Sequence, residues 1–226
     1  MNLYHVFTGY SNAEYEVIKE VKPPRILISF YYFKNKSLKE LIERIGYRPV
    51  IMLDSGAYSA FTKGKNISPI DYMDYILLNK EFIDYYISLD VIGDSEISIK
   101  YYEILKLKNF SPIPVYHYGE HENILRFYIA DKNDYIALGN TVPIKNKDII
   151  VEWINELAKK YPKIKFHLLG SSSKKILNCE GLFSCDSSSW ILQAKNGKPL
   201  HIVGNSTEAK ISRAIYNMRE ELSLCI

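Results

Sequence analysis

The stretch YRPVIMLDSGAYSA, residues 47–60, sets the pattern that decides the fold. A short apolar run, Pro49–Leu53, breaks directly into the polar turn Asp54-Ser55-Gly56 and then into helix-compatible sequence. An apolar run of five residues with little alternation reads as a strand buried on both faces, and a polar turn straight after it reads as the start of a helical crossover. The same unit recurs along the chain. Its other apolar runs are Leu3–Phe7, Arg25–Phe30, Tyr85–Leu89, Ile113–His117, Tyr135–Leu138, Lys165–Leu169 and Leu182–Cys185. With Pro49–Leu53 they make eight, the number of strands that closes a parallel α/β barrel. The expected fold is therefore α/β, a single compact (β/α)8 TIM-type barrel spanning residues 1–226. An open doubly wound sheet is the rival, but it wants a phosphate-cradling glycine turn after the first strand, where only Gly9 is found.

The stretches between the runs carry helical periodicity. Lys147–Tyr161 is the clearest, with Ile150, Trp153, Ile154 and Leu157 on one face. Thr207–Leu222 presents Ile211, Ala214, Ile215, Met218 and Leu222 as a stripe, and Asn205 with Glu208 three residues later resembles a capping pair. Both are expected to pack against the barrel wall.

A chain of 226 residues is near the lower limit for such a barrel. Hydrophobic residues at 47% and charged ones at 24% exclude a disordered or collagen-like chain. The N-terminal residues MNLYHVFTGYSNAEYE lack a basic segment followed by a long apolar one, so neither a secretory signal nor a membrane span is expected, and a cytoplasmic location follows. Cys179, Cys185 and Cys225 are odd in number and irregular in spacing, which fits reduced thiols better than disulfides or zinc ligands. A net charge of +3 permits a polyanionic partner without requiring one.

In a barrel of this kind the site lies at the C-terminal ends of the strands. There the sequence is polar: Asp54-Ser55-Gly56-Ala57-Tyr58, Asp90-Val91-Ile92-Gly93-Asp94, His117-Tyr118-Gly119-Glu120, Gly139-Asn140-Thr141, Gly170-Ser171-Ser172-Ser173 and Asp186-Ser187-Ser188-Ser189-Trp190. Three of the ten aspartates, Asp54, Asp90 and Asp186, begin a βα loop. Any one of them reads equally as a helix cap. Three carboxylates at one mouth repel one another and raise the pKa of at least one, which supplies an acid beside a base. Paired carboxylates suit glycoside hydrolysis or exchange of a base at an anomeric carbon. Glycines after the sixth and seventh strands and Tyr58 fit a flat ligand better than a chair-shaped sugar.

The loops DSGAYSA, SLDVIGD, PVYHYGE, YIALGN, FHLLG and SCDSSSW, from about Asp54 to Trp190, resemble in this order the strand-end motifs of the tRNA-guanine transglycosylase superfamily. The short chain and the forms DSGAYSAF, DVIGD and PVYHYGE are closest to the phage and genomic-island branch that inserts 7-deazaguanine bases into DNA. This resemblance implies a transglycosylase that exchanges guanine for a 7-deazaguanine base in DNA, such as 7-cyano-7-deazaguanine, through a covalent glycosyl-enzyme intermediate. Asp186 would be the nucleophile and Asp54 the general acid/base. Asp90 would read the purine edge, His117 would donate to its carbonyl beside a backbone amide near Leu138 and Gly139, and Tyr58 and Leu169 would sandwich the ring. Ser55 and Gly170 complete the implied substrate-binding set.

The zinc-binding segment of the tRNA enzymes is absent from the sequence, so the resemblance implies a barrel without a zinc subdomain, with no metal and no cofactor. Lys63, Lys65, Lys174, Lys175, Lys195 and Lys198 flank the loops and would grip a DNA backbone. Its implied partners are DNA, with tRNA as the alternative, and a free 7-deazaguanine base; a partner protein or a homodimer stays open. Two readings stand beside it: a nucleoside hydrolase that releases a deazapurine base, and a catalytically inert barrel serving an active partner.

Overall fold

The computed structural model describes residues 1–225. Eight strands form one all-parallel sheet: β1 (Asn2–Phe7), β2 (Arg25–Ser29), β3 (Val50–Asp54), β4 (Tyr85–Tyr86), β5 (Val115–His117), β6 (Tyr135–Gly139), β7 (Lys165–Leu168) and β8 (Ser184–Ser187). Their order is β4-β3-β2-β1-β8-β7-β6-β5, so the first and last strands of the chain pair at the middle of the list. A parallel bridge between Ile87 and Ile113, with Ser88 N–H donating to Ile113 C=O at 2.7 Å and Ile113 N–H to Tyr86 C=O at 2.8 Å, joins the two ends. The result is a (β/α)8 TIM-type fold, as eight apolar runs predict.

Each expected strand is present, and the boundaries move by one to three residues. The largest change is at β4, where regular pairing is confined to Tyr85–Tyr86. Beyond it the backbone bonds singly to the β5 side and then turns into the Asp90 loop. Lys147–Lys160 is helical as expected, with Asn146 accepting from Asp148 N–H at its start.

The helix Thr207–Ser223 differs from its sequence reading in two respects. Its N-cap is Ser206, whose Oγ accepts from Ala209 N–H, and not Asn205. Its buried stripe includes Arg213, Asn217 and Glu221, spaced four apart beside Ala214 and Met218. Each of these polar side chains satisfies backbone or side-chain groups that the barrel cannot satisfy itself. Arg213 donates to the carbonyls of Ala194, Ile202 and Gly204; Asn217 donates to those of Trp190 and Lys198; Glu221 accepts from Ser187 and Ser189. A purely apolar stripe would leave those groups unpaired, at a cost of about 1–3 kcal/mol each.

Two clusters fill the space between sheet and helices, one around Phe7, Phe33, Tyr72 and Trp190 and one around Tyr102, Tyr128, Phe166 and Leu168. A third, of Tyr4, Leu27, Met52, Ile87, Ile113, Val115, Tyr135 and Ala137, plugs the barrel interior, with Leu169 packed against it. Because strand side chains alternate, the inward position of Met52, Val115, Ala137 and Tyr4 fixes what stands above them. Asp54, His117 and Gly139 follow two residues on, and Asp186 pairs in register with Tyr4. The apolar plug thus carries a polar layer at the C-terminal mouth.

Candidate active site

Asp54 stands at the end of β3, in a chain that must turn at once into the helix Ala57–Phe61. Gly56 makes that turn in the left-handed region at φ +81°, and its N–H donates to Asp54 Oδ2 at 3.0 Å. A Cβ at Gly56 would meet Ser29 Oγ and Tyr31 Cβ at 2.6 Å, so only glycine fits. Burial raises the Asp54 carboxyl most, the charges of Asp90 and Asp186 add to it, and together they outweigh the Gly56 bond to bring its pKa to about 7.

Asp90 is tied into a network. Its Oδ1 accepts from Ser55 Oγ at 3.4 Å and its Oδ2 lies 3.2 Å from His117 Nε2. The other ring nitrogen of His117 lies 3.0 Å from Glu120 Oε1, and Glu120 Oε2 accepts from His117 N–H at 2.8 Å. Burial works against a charged imidazole here, but the hydrogen bonds and charges of Asp90 and Glu120 prevail and hold its pKa at about 9. His117 is therefore a cation at neutral pH, with both N–H groups engaged. Gly139 provides the room: a Cβ there would lie 2.5 Å from His117 Cδ2.

Asp186 is buried at the end of β8. Its Oδ1 accepts from Gly170 N–H at 2.9 Å, where Gly170 adopts φ +69°, and lies 3.3 Å from Nε2 of the fully buried His167.

The structure brings together Asp54, Ser55, Asp90, His117, Gly139, Gly170 and Asp186, and it gives several of them work other than that implied by the resemblance. The two ring nitrogens of His117 face carboxylates. Gly139 makes space for that ring, and the amide of Gly170 serves Asp186. Leu138 is buried on the outward side of β6 among Tyr116, Ile136 and Leu168. Leu169 caps the interior plug, whereas Tyr58 is 60% exposed on the rim helix. The six lysines are exposed; Lys175 pairs with Asp148 at 2.6 Å and Lys63 lies over the rings of Tyr31 and Tyr32. Sequence reasoning did not place Glu120, His167 or Ser184 in the site. The available signal was parity, since His167 stands two before Leu169 and Ser184 two before Asp186.

The strand-end segments 8–10, 30–33, 54–58, 90–94, 117–120, 139–141, 169–173 and 186–190 contain the carboxylates Asp54, Asp90, Asp94, Glu120 and Asp186, one imidazole, and neither lysine nor arginine. Lys36 reaches the first of these segments, its Nζ donating to the carbonyls of Thr8 at 3.3 Å and Gly9 at 2.8 Å.

Solved structures with the same architecture cover nearly the whole chain. A 4-hydroxy-2-oxoglutarate aldolase/2-deydro-3-deoxyphosphogluconate aldolase from TTHB1 matches 99% of this chain and 94% of its own at TM-score 0.56 and 11% identity. The YdjI aldolase from Escherichia coli K12 matches 99% and 90% at TM-score 0.60 and 11% identity. The carboxyl transferase domain of Rhizobium etli pyruvate carboxylase matches 99% of this chain and 48% of its own at TM-score 0.56 and 11% identity. The likeness is one of fold. No protein-family model matches the sequence, and neither does any curated protein.

These findings correct the resemblance to tRNA-guanine transglycosylases and the function it implied. The barrels just described are aldolases and a carboxyl transferase domain, and guanine exchange in DNA or tRNA and deazapurine release are withdrawn together with it. The physical reason is visible in the loops. Asp, Ser and Gly recur at strand ends because a parallel strand entering a helix needs a cap and a left-handed turn. Asp54 accepts from Gly56 N–H, Asp94 caps the helix Ser95–Leu107, and Gly170 turns at positive φ. Short Asp-Ser-Gly motifs in barrel order therefore arise from the fold itself. Among the described residues no helix is long and apolar enough to cross a membrane.

Proposed function

We propose that the chain is an enzyme of the proton-transfer kind, an aldol-type lyase or isomerase, acting on the carbonyl and hydroxyl groups of a small neutral or cationic substrate. Asp54 gives and takes the proton. The observation that carries this reading is the meeting of Asp54 with Asp90 and Asp186 at the barrel mouth, where burial and the two neighbouring charges raise the Asp54 carboxyl to about 7, so that both its forms are populated at neutral pH and it serves as acid and base alike. Asp186, fixed by the Gly170 amide, is the companion acceptor for a substrate hydroxyl. The His117 cation, held between Asp90 and Glu120, keeps those two carboxylates from pushing Asp54 further toward a permanently neutral acid.

Two of the structural neighbours are aldolases, which fits this kind of chemistry. The strand-end segments carry five carboxylates and no lysine or arginine of their own, and the Lys36 ammonium that reaches the β1 end is engaged by the carbonyls of Thr8 and Gly9, so an uncharged or positively charged substrate is favoured.

The test is hydrogen–deuterium exchange in D2O, followed by NMR, on a panel of neutral hydroxyaldehydes, hydroxyketones and amino sugars with anionic keto acids alongside. Exchange at the carbon next to the carbonyl is expected with neutral or cationic members, rising as pH passes 7 and lost in Asp54→Asn. Equal rates in Asp54→Asn, or exchange confined to the keto acids, would overturn the proposal.

A further inference from the structure

Below Asp186 a column of polar side chains descends through the barrel interior. His167 on β7 is fully buried, as is Ser184 on β8. His167 Nδ1 lies 2.8 Å from Ser184 Oγ, and Ser184 Oγ lies 2.7 Å from the hydroxyl of Tyr135 on β6. The ring is boxed in by Tyr4 from β1, edge-on at 5.8 Å and 78°, and by Tyr135 at 6.3 Å and 84°. Its Nε2 has no aligned hydrogen-bond partner among the described residues, and Asp186 Oδ1 stands 3.3 Å away.

A buried imidazole nitrogen beside a carboxylate cannot present a lone pair to it without repulsion. A proton on Nε2 turns that repulsion into a charge-assisted contact. The neutral ring then has its lone pair on Nδ1, which requires a donor, and the Ser184 hydroxyl is the group in place. Ser184 in turn accepts from the Tyr135 hydroxyl. Every donor in the column then points toward Asp186.

We propose that His167 is the positioning residue for Asp186: Ser184 donates to Nδ1, the neutral ring carries its proton on Nε2, and that proton holds Asp186 Oδ1 in place. The second anchor of the same oxygen is the Gly170 amide at 2.9 Å. Two donors on Oδ1 leave Oδ2 as the oxygen free to meet a substrate. This inference rests on the reading that Asp186 faces substrate, but its test needs no substrate.

The experiment is 15N NMR of the full chain labelled at histidine, with the His167 signals assigned by their loss in His167→Gln. Where the ring is neutral, the wild-type spectrum is expected to show a protonated Nε2 and an unprotonated Nδ1, in at least tenfold excess over the other tautomer. Asp186→Asn is expected to reduce that excess at least fivefold. A neutral ring with its proton on Nδ1, or an excess unchanged in Asp186→Asn, would overturn the proposal. In the exchange assay, His167→Gln, which keeps an N–H donor, is expected to retain at least ten times the rate of His167→Phe. Loss of exchange in the wild type with the tautomer intact would sink the proton-transfer reading and leave the positioning of Asp186 standing.

Discussion

On the two strands that flank β8, a buried histidine stands beside a carboxylate, His167 of β7 facing inward and His5 of β1 facing outward, and the two pairs are built for different ends. Inward, His167 Nε2 lies 3.3 Å from Asp186. Outward, His5 Nε2 lies 3.4 Å from Glu221, which reaches in from the last helix. The outward carboxylate is a strut: Glu221 accepts from the hydroxyls of Ser187 and Ser189, and neither ring nitrogen of His5 has an aligned hydrogen bond among the described residues. The inward carboxylate accepts from the Gly170 amide on Oδ1 and lies close enough to Asp54 to raise the pKa of that carboxyl. The same residue types thus brace a helix on one side of the sheet and shape a reactive mouth on the other. What separates them is proximity to a second carboxylate, which only the C-terminal end of the barrel supplies.

The sharpest way to break this contrast is to remove one carboxylate from each face. Asp54→Asn and Asp186→Asn are each expected to cut deuterium exchange by about 10²-fold or more. Glu221→Ala is expected to leave exchange within about threefold while lowering stability by about 1–3 kcal/mol, because Ser187 and Ser189 lose their acceptor. Thermal melts beside exchange rates read both. A Glu221→Ala protein that is stable but inactive would mean the outward pair serves the chemistry after all.

The pH dependence of stability sharpens the same contrast. The Asp54 pKa rises from an ordinary 3.8 to about 7 on folding. The folded chain therefore keeps a proton that the unfolded chain releases above pH 4. The associated stability is fully present below pH 4, is lost progressively between pH 4 and 7, and stays lost above. Asp54→Asn removes that slope. Its melting temperature relative to wild type is expected to climb across this window by an amount equivalent to about 4 kcal/mol at most. Melting curves at pH 4, 6 and 8 measure it, and a difference that is flat with pH would remove the buried-acid account.

A smaller effect is expected at Gly139. Gly139→Ala puts a methyl against His117 Cδ2 and displaces the ring from Asp90 and Glu120, at about 1–3 kcal/mol. The His117 pKa, held at about 9, is then expected to fall, which histidine NMR reads directly. An unchanged titration would show that the ring is held by something other than its two carboxylates.

The fold was legible because parallel strands buried on both faces write themselves as apolar runs, and eight of them are visible from Leu3 to Cys185. The weakest was β4, where Tyr85–Leu89 reads as five strand residues but only two pair regularly; the partner across the gap is joined by a single bridge, and no local sequence signal encodes that. The cap at Ser206 and the polar stripe of Arg213, Asn217 and Glu221 were misread because periodicity counts apolar positions, while these side chains answer to unpaired carbonyls elsewhere in the chain. Within the site, Asp54, Asp90, His117 and Asp186 were legible from their place directly after apolar runs. Their partners were not: His167 and Ser184 look like strand residues until the alternation is tied to a known inward neighbour. The motif resemblance failed for a related reason, since the turn chemistry of strand ends produces Asp, Ser and Gly whatever the reaction.

The central claim is that Asp54 is a neutral-pH proton carrier because burial, helped by the charges of Asp90 and Asp186, raises its carboxyl. The direct measurement is a carboxyl titration by 13C NMR with labelled aspartate, assigned by Asp54→Asn and repeated in Asp186→Asn. Asp54 is expected to titrate with a midpoint near pH 7 that falls when the Asp186 charge is removed. A midpoint near 4, or one near 7 that ignores the loss of Asp186, would contradict it.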